Sequence, residues 1–573
     1  MRSLSPLPCV VEAELTVFVR AKRSGQHEYL QVVHSERVDG RPRQRVIATL
    51  GRLDELQQSG QIDSLIASCA RFAGHTAVLA AQRRGESTEA DSLRIGPALV
   101  FERLWRDLGI PAVLDQHLRG RYFEFPVERA IFLTVLHRLF PSGSDRAADV
   151  WRQGYAIEGV AKLQLHHLYR TMGWLGEPLA EDQQFAATRF SPRCTKDLIE
   201  ETLFQRRRDL LTTLDLVFFD TTSIYFEGRG GESLGRYGKS KDKRPDRKQM
   251  VVGAVLDNEG YPLCCELWPG NASDVKSLLS IIDRLKHRFH IGRICVVADR
   301  GMISKETIAG LKEVHRDSRF ILGARLRAVK EVREKVLSRA GRYKEVRGPR
   351  KNSKDPAPLK VKEVRIDDRR YIVCVNEEEA RKDRADREAI VKALAEKLKQ
   401  GDKSLVGNKG YRKYLKVVGE GHFEINPAKI KSEERYDGKW VLQTDMEIAP
   451  EEVALRYKEL WLVEALFRAM KSILETRPIY HKRDDTIRGH VFCSFLALVL
   501  MKELLRRMEA RGWRTEWERL KDDLEALQEV TVRNSGQTFI VRTTTRGDAG
   551  KALQAAGVAL GPTVRRVDGT TKD

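Results

Sequence analysis

The sequence predicts a multidomain α/β protein, and two observations carry that prediction. From residue 214 onward, bulky apolar runs of strand length are interleaved with a hairpin and an amphipathic helix. The chain also has 573 residues, enough for three to five domains at roughly 100–200 residues each.

The elements follow in order. Residues 15 to about 55 hold strand-like runs, "ELTVFVRAK" and "YLQVVHSERVDGRPRQRVIATLGRL", the second turning at Asp39-Gly40. Residues 95–205 read as mainly helical: "RAIFLTVLHRLF" stops at Pro141, and "SDRAADVWRQG" starts from Ser144 as an N-cap. These two could form a helix-turn-helix or pack as an ordinary bundle, and bundle packing is favoured. "VFFDTTSIYFEG" then runs a strand buried on both faces into Asp220. "QMVVGAVLDNEGYPLCCELWPG" is a hairpin about Asp257–Gly260, and Ser273 caps "DVKSLLSIIDRLKHRF", whose Val275, Leu278, Leu279, Ile282 and Leu285 form one apolar stripe. "RICVVADRGMIS" is a second buried strand ending at Asp299, with a helix after Ser304. Strand, hairpin, helix, strand is the order at the front of an RNase H-like core, a mixed sheet flanked by helices. Residues 330 to about 446 break the pattern and read as an α+β insertion. After Pro450 one long helix, "EEVALRYKELWLVEALFRAMKSILET", ends before Pro478.

These readings divide the chain at 1–94 (basic, strand-rich, DNA-binding), 95–205 (helical, a further DNA-binding candidate), 206–329 (first part of a catalytic core), 330–446 (insertion), 447–510 (last part of the core) and 511–573 (DNA contact or dimerisation).

The formal charge is +21 and the pI about 9.6, which points to a polyanionic partner. No apolar run approaches the roughly 18 residues that span a bilayer, and the start lacks an apolar signal-peptide core. Eight cysteines without CxxC or paired Cys/His spacing suggest a reduced, soluble, cytoplasmic protein, with Cys264 and Cys265 as core thiols. His166, His167 and His481 lack partners at metal-ligand spacing. His481 is read as a polar residue near DNA.

Asp220 and Asp299 end two buried strands, and adjacent strand ends would bring them together. Close carboxylates repel unless a cation lies between them, and oxygen-only ligands suit Mg²⁺ or Mn²⁺. The late helix supplies a third carboxylate. Tyr457, Leu460, Glu464 and Lys471 lie at i, i+3, i+7 and i+14, on one stripe of an uninterrupted helix, with Glu464 turned inward. The alternative for Glu464 is an ion pair with Arg468 one turn on.

"FFDTTSIYFEG", "VVADRGMIS" and Y-x2-L-x3-E-x6-K followed by "RPIYH" resemble the DDE transposases of bacterial insertion sequences, in the branch with a YREK signature and a β-rich insertion. The likeness runs from about 15 to 560 and takes in "RVDGRPRQRVIATLGRL" and "GKSKDKRPDRKQM". It implies that Asp220, Asp299 and Glu464 are catalytic metal ligands and that Tyr457 and Lys471 take the flanking signature positions. The signature arginine falls on Leu460, so either Arg468 does its phosphate work or this branch does without it. DNA-binding candidates are Lys239, Lys241, Lys243, Arg244, Arg300, Arg477 and His481. Trp440 could stack on a flipped base or sit in the core, with the core favoured. The loop 229–250 carries eight Lys or Arg against three acidic residues, a net of +5.

The function implied is metal-dependent cleavage at the terminal inverted repeats, then transfer of the freed 3′-hydroxyl to target DNA, by a homodimer on paired ends associated with the nucleoid. The rival readings are an inactive DNA-binding descendant and an RNase H-like nuclease.

Overall fold

The computed structural model describes residues 16–38, 41–62, 65, 89–185, 187, 191–207, 216–272, 274–289, 294–299, 308–310, 318–348, 356–399, 413–418, 422–534 and 537–567. The chain forms two compact units, Met1–Leu93 with Gln528–Thr544 and Gly561–Asp573, and Arg94–Leu527 with Thr545–Leu560.

In the first unit, β1 (Thr16–Ser24), β2 (His27–Val38) and β3 (Arg41–Arg52) make an antiparallel meander. Gly25, at φ 65°, closes the β1–β2 turn where a side chain would strain the backbone. The predicted Asp39-Gly40 turn lies outside the described residues. A short helix α1 (Leu53–Gln58) follows. Strand β4 (Glu89–Arg94) joins a four-stranded sheet whose other strands come from the far end of the chain.

The second unit opens with α2 (Gly96–Asp107), α3 (Ile110–Leu118), α4 (Val127–Leu139), α5 (Asp145–Trp151), α6 (Leu165–Leu175) and α7 (Thr195–Arg207). Ser144 caps α5 by accepting from the Ala147 amide at 3.2 Å. Helix α4 is buried along nearly its whole length, as packing in a bundle requires.

The sheet that follows contains β5 (Leu216–Tyr225), β6 (Gln249–Leu256), β7 (Pro262–Pro269), β8 (Cys295–Ala298) and β9 (Arg319–Ala324), with α8 (Asp274–Phe289) between β7 and β8. The β6–β7 turn is closed by Asp257, whose Oδ1 accepts from the Glu259 and Tyr261 amides at 2.9 and 2.8 Å. Of the predicted α8 stripe, Ile282 and Leu285 are buried. Ser273, the side chains of Val275, Leu278 and Leu279, and Ser304 lie outside the described residues, while 308–310 are helical.

Residues 330–446 differ from a self-contained insertion. Their strands β10 (Lys344–Arg347), β11 (Leu359–Ile366), β12 (Arg369–Val375) and β15 (Lys439–Thr444) continue the same sheet, giving nine strands in the order β10-β11-β12-β15-β9-β8-β5-β6-β7. Strand β9 would otherwise expose an unpaired edge, and β15 closes it antiparallel. Helix α9 (Glu377–Lys399), the hairpin β13 (Leu415–Val418) and β14 (His422–Ile425), and α10 (Pro427–Glu434) lie between β12 and β15 in sequence.

The predicted single helix after Pro450 is two helices, α11 (Pro450–Lys458) and α12 (Trp461–Ser472). Between them the backbone tightens to bonds of the i→i−3 kind, Leu460 N to Tyr457 O and Val463 N to Leu460 O, both 3.1 Å. Leu460 thereby turns into the core at 6% exposure while Trp461 faces out. Helix α13 (Asp484–Glu509) packs on α4 and α6. The segment 511–573 is divided: α14 (Trp517–Glu525) and α15 (Ala549–Ala556) belong to the second unit, whereas β16 (Gln528–Asn534), β17 (Gln537–Arg542) and β18 (Val564–Val567) complete the sheet holding β4.

Cys264 and Cys265 are buried free thiols, and burial pushes both up in pKa. Among the described residues no helix is long and apolar enough to cross a membrane.

Candidate active site

Asp220 does not end its strand. It sits mid-way along β5, opposite Ala254 of β6. Pairing with β8 stops earlier, with Phe218 opposite Val297 in parallel register. Two residues further along each chain stand Asp220 and Asp299, the residue after β8, so the same register carried onward would set them side by side. The strand continues past Asp220 because β6 still pairs it on the other side.

The pleat decides which way these carboxylates face. On β5, Phe218 and Ile224 enter the main core, as does Phe226 just beyond the strand, while Val217 and Phe219 enter the core on the opposite face. On β8, Cys295 and Val297 share the first face and Val296 and Ala298 the second. Counted by twos along the chain, Asp220 and Asp299 keep the phase of the first set. The same core receives Val453 and Ala454 of α11 and Val463, Phe467 and Met470 of α12. The Tyr457 hydroxyl donates to Asp299 Oδ1 at 3.0 Å. The Thr221 amide donates to Asp220 Oδ1 at 2.7 Å, and Lys241 Nζ lies 3.8 Å from the same oxygen. Lys241 is anchored by donating to the Thr221 carbonyl and hydroxyl at 2.6 and 2.9 Å.

Glu464 departs from the sequence reading. It is exposed on α12 rather than turned inward, and its ion pair with Arg468 does not form. The ligand atoms of Asp220, Asp299 and Glu464 do not all lie within 4.8 Å of one another. The cause is the tightened turn at 459–460, which breaks the uninterrupted stripe. Arg468 is exposed, and Leu460 occupies a core position where an arginine would be a buried charge.

Lys471 bonds Asp242 at 2.7 Å and Arg477 reaches the same oxygen at 2.9 Å. Sequence reasoning missed Asp242. Its signal was an acidic residue inside the basic run "GKSKDKRPDRKQM". Lys239 and Lys243 are exposed, and Arg244 pairs with Asp246 at 2.9 Å. Arg300 lies outside the described residues. Trp440 is half-buried, packs against the main core and lies under the Lys458 ammonium at 5.5 Å.

His481 is a correction, for it turns inward. Its Nε2 is 3.1 Å from His490 Nδ1 and 3.4 Å from Asp145 Oδ2. Asp145, His481 and His490 form one group with metal-ligand geometry, and Glu124, His166 and His167 another, so these histidines do have partners, from distant segments. The first group also holds Arg138, whose guanidinium meets both His490 nitrogens at 2.9 and 3.3 Å. That fixed cation fills the role an ion would take. In the second, His167 Nδ1 accepts from the Gln164 amide as a helix cap.

Residues 212–500, just over half of the chain, match the family described as Transposase DDE domain. The chain belongs to the DDE transposases. Residues 17–82 match the IS1634 family transposase N-terminal domain, so this is an insertion-sequence transposase, and its substrates are DNA. Among solved structures it is similar to a piggyBac transposase synaptic complex with hairpin DNA, at 9% identity and a TM-score of 0.37, covering 75% of this chain and 79% of that one. A search of curated proteins finds no match.

Proposed function

We propose that this transposase binds the terminal inverted repeats of its element, cuts at the element ends and joins the freed 3′-hydroxyl to target DNA, working as a homodimer on paired ends. The sheet β7-β6-β5-β8-β9 is read as an RNase H-like core, and Asp220, Asp299 and Glu464 as the ligands of Mg²⁺ or Mn²⁺. The observation that supports this reading is the parallel register of β5 and β8, which carried two residues onward would bring Asp220 and Asp299 together, with the Tyr457 hydroxyl of α11 on Asp299. Two adjacent carboxylates with only oxygen donors fit a hard divalent cation and would repel each other without one. Bound there, such ions would activate the attacking oxygen and stabilise the leaving one.

The chain's own residues divide the remaining work. Tyr457 orients Asp299 through its hydroxyl. Lys241 offsets part of the Asp220 charge. Lys471, Arg477 and Arg468 are read as contacts to backbone phosphates, Arg468 standing in for the arginine missing at Leu460. Glu464 follows buried Val463 on the helix that crosses this face and completes the ligand set when substrate is bound.

Incubation of the purified protein with the inverted repeats flanking its gene, with Mg²⁺, should give 3′-hydroxyl cuts at the element ends and joined products. Binding without nicking would make it an inactive DNA-binding descendant. Equal cutting of unrelated DNA would make it a general nuclease. Light scattering of the paired-end complex should give two protomers.

A further inference from the structure

Asp242 is a carboxylate with an unusual environment. Its side chain is 5% exposed, and one oxygen takes both Lys471 Nζ at 2.7 Å and Arg477 Nη1 at 2.9 Å. The other oxygen is buried without a hydrogen-bond partner. Such an orphan is costly and rare in a settled structural ion pair, which uses both oxygens. The two cations could not be left alone either. Lys471 is 11% exposed, and burial, with Arg477 and Lys241 nearby, pulls its pKa below the usual lysine value despite Asp242. These cations therefore need an anion at all times.

We propose that Lys471 and Arg477 form a seat for a backbone phosphate of the substrate strand, and that Asp242 occupies this seat until DNA displaces it. The inference rests on the transposase reading for the identity of the polyanion. A phosphodiester carries the same single charge as the carboxylate, so the exchange keeps the seat neutral. It also offers more acceptor oxygens to one ammonium and one guanidinium. The seat adjoins the carboxylate pair, since Lys241, next in the chain, reaches Thr221 and Asp220. The phosphate bound there is a neighbour of the scissile one. Release of Asp242 is favoured by the residue that follows, because Lys243 is held at φ 58°, a left-handed backbone that lysine rarely adopts.

The test is DNA binding in EDTA, where no cleavage occurs, using a duplex that carries one inverted repeat. Asp242→Asn should tighten binding about tenfold, because the seat then stands open. Between roughly 50 and 200 mM salt the slope of log K against log salt should stay that of the wild type, because both complexes seat the same phosphate. Adding Lys471→Gln should cancel the gain and flatten the slope by about 0.9, one phosphate contact fewer. Unchanged or weaker binding by Asp242→Asn, at wild-type melting temperature, makes Asp242 a structural clamp and overturns the proposal. If that variant does not fold, the wild type carries the test by hydrogen exchange. The amides of Asp242 and Arg244, which donate to Ser240 Oγ at 3.2 and 3.1 Å, should exchange faster in the DNA complex than in free protein. Equal or slower exchange overturns it. Because binding is read apart from cutting, a protein that never nicks its element ends would sink the catalytic reading and leave the seat standing, and one that nicks while Asp242→Asn binds unchanged would do the reverse.

Discussion

Where α7 and α8 pack against β7, four cations and four carboxylates are sealed from solvent. Arg193, Lys196, Arg284 and Arg288 face Asp197, Glu200, Glu201 and Glu266, and Arg288 alone reaches Glu200 at 2.6 Å, Glu266 at 2.7 Å and Glu201 at 2.8 Å. At Asp220 and Asp299 the opposite holds. Two like charges follow one strand register, with Lys241 near one and a tyrosine hydroxyl on the other. The first cluster is neutral in itself, and each charge is satisfied by another charge of the fold. In the second, the proposed divalent cation would supply the balancing charge. That difference separates a carboxylate that supports folding from one available for chemistry.

The largest effects should come from exchanging the two behaviours. Asp220→Asn or Asp299→Asn should lower metal-dependent cleavage on the order of 10³-fold or more, while the melting temperature stays level or rises. Arg288→Met should do the reverse. It strands buried carboxylates and costs about 3–5 kcal/mol in urea unfolding, while the folded fraction still cuts DNA. An Asp220→Asn variant that unfolds, or an Arg288→Met variant that is stable, would erase the distinction.

The Arg138 region offers a smaller and pH-dependent check. Here a fixed cation is met by neutral histidines. His137 is 2% exposed, and burial together with Arg138 pulls its pKa from 6.5 to about 4. The unfolded chain therefore takes up this proton first. The contribution of His137 is complete above pH 6.5 and is lost as the pH falls to about 4, for roughly 3 kcal/mol in all. Asp145, held down to about 2 by its His481 hydrogen bond and by Arg138 against the opposing effect of burial, loses its contribution in the next window, between pH 4 and 2. Urea midpoints from pH 8 to 4 should fall less steeply in His137→Phe than in the wild type. Parallel curves would show that this histidine is already protonated when folded.

The smallest effect is expected at Tyr457. Tyr457→Phe keeps the ring and removes the bond to Asp299, so cleavage should fall about tenfold with stability nearly unchanged. Wild-type cleavage in this variant would mean that Asp299 needs no orientation from α11.

Much of this protein was legible in its sequence because the signals are local. The apolar runs of β5, β6, β7 and β8, the Asp257–Gly260 turn and the Ser144 cap depend on residues a few positions apart, and propensity and patterning decide them. The two aspartates were legible for the same reason, as charges that follow buried apolar runs, although Asp220 lies within β5 and only Asp299 follows its strand. What the sequence could not decide were relations between distant segments. That β15 would extend the edge of β9, that a tightened turn at Leu460 would bring Glu464 out to solvent, and that His481 would meet Asp145 and His490 follow from packing across more than a hundred residues in most cases. The same is true of Asp242. In the sequence it is one acidic residue in a basic loop, and only the fold brings Lys471 and Arg477 to it, because a buried cation must find an anion wherever the chain can supply one.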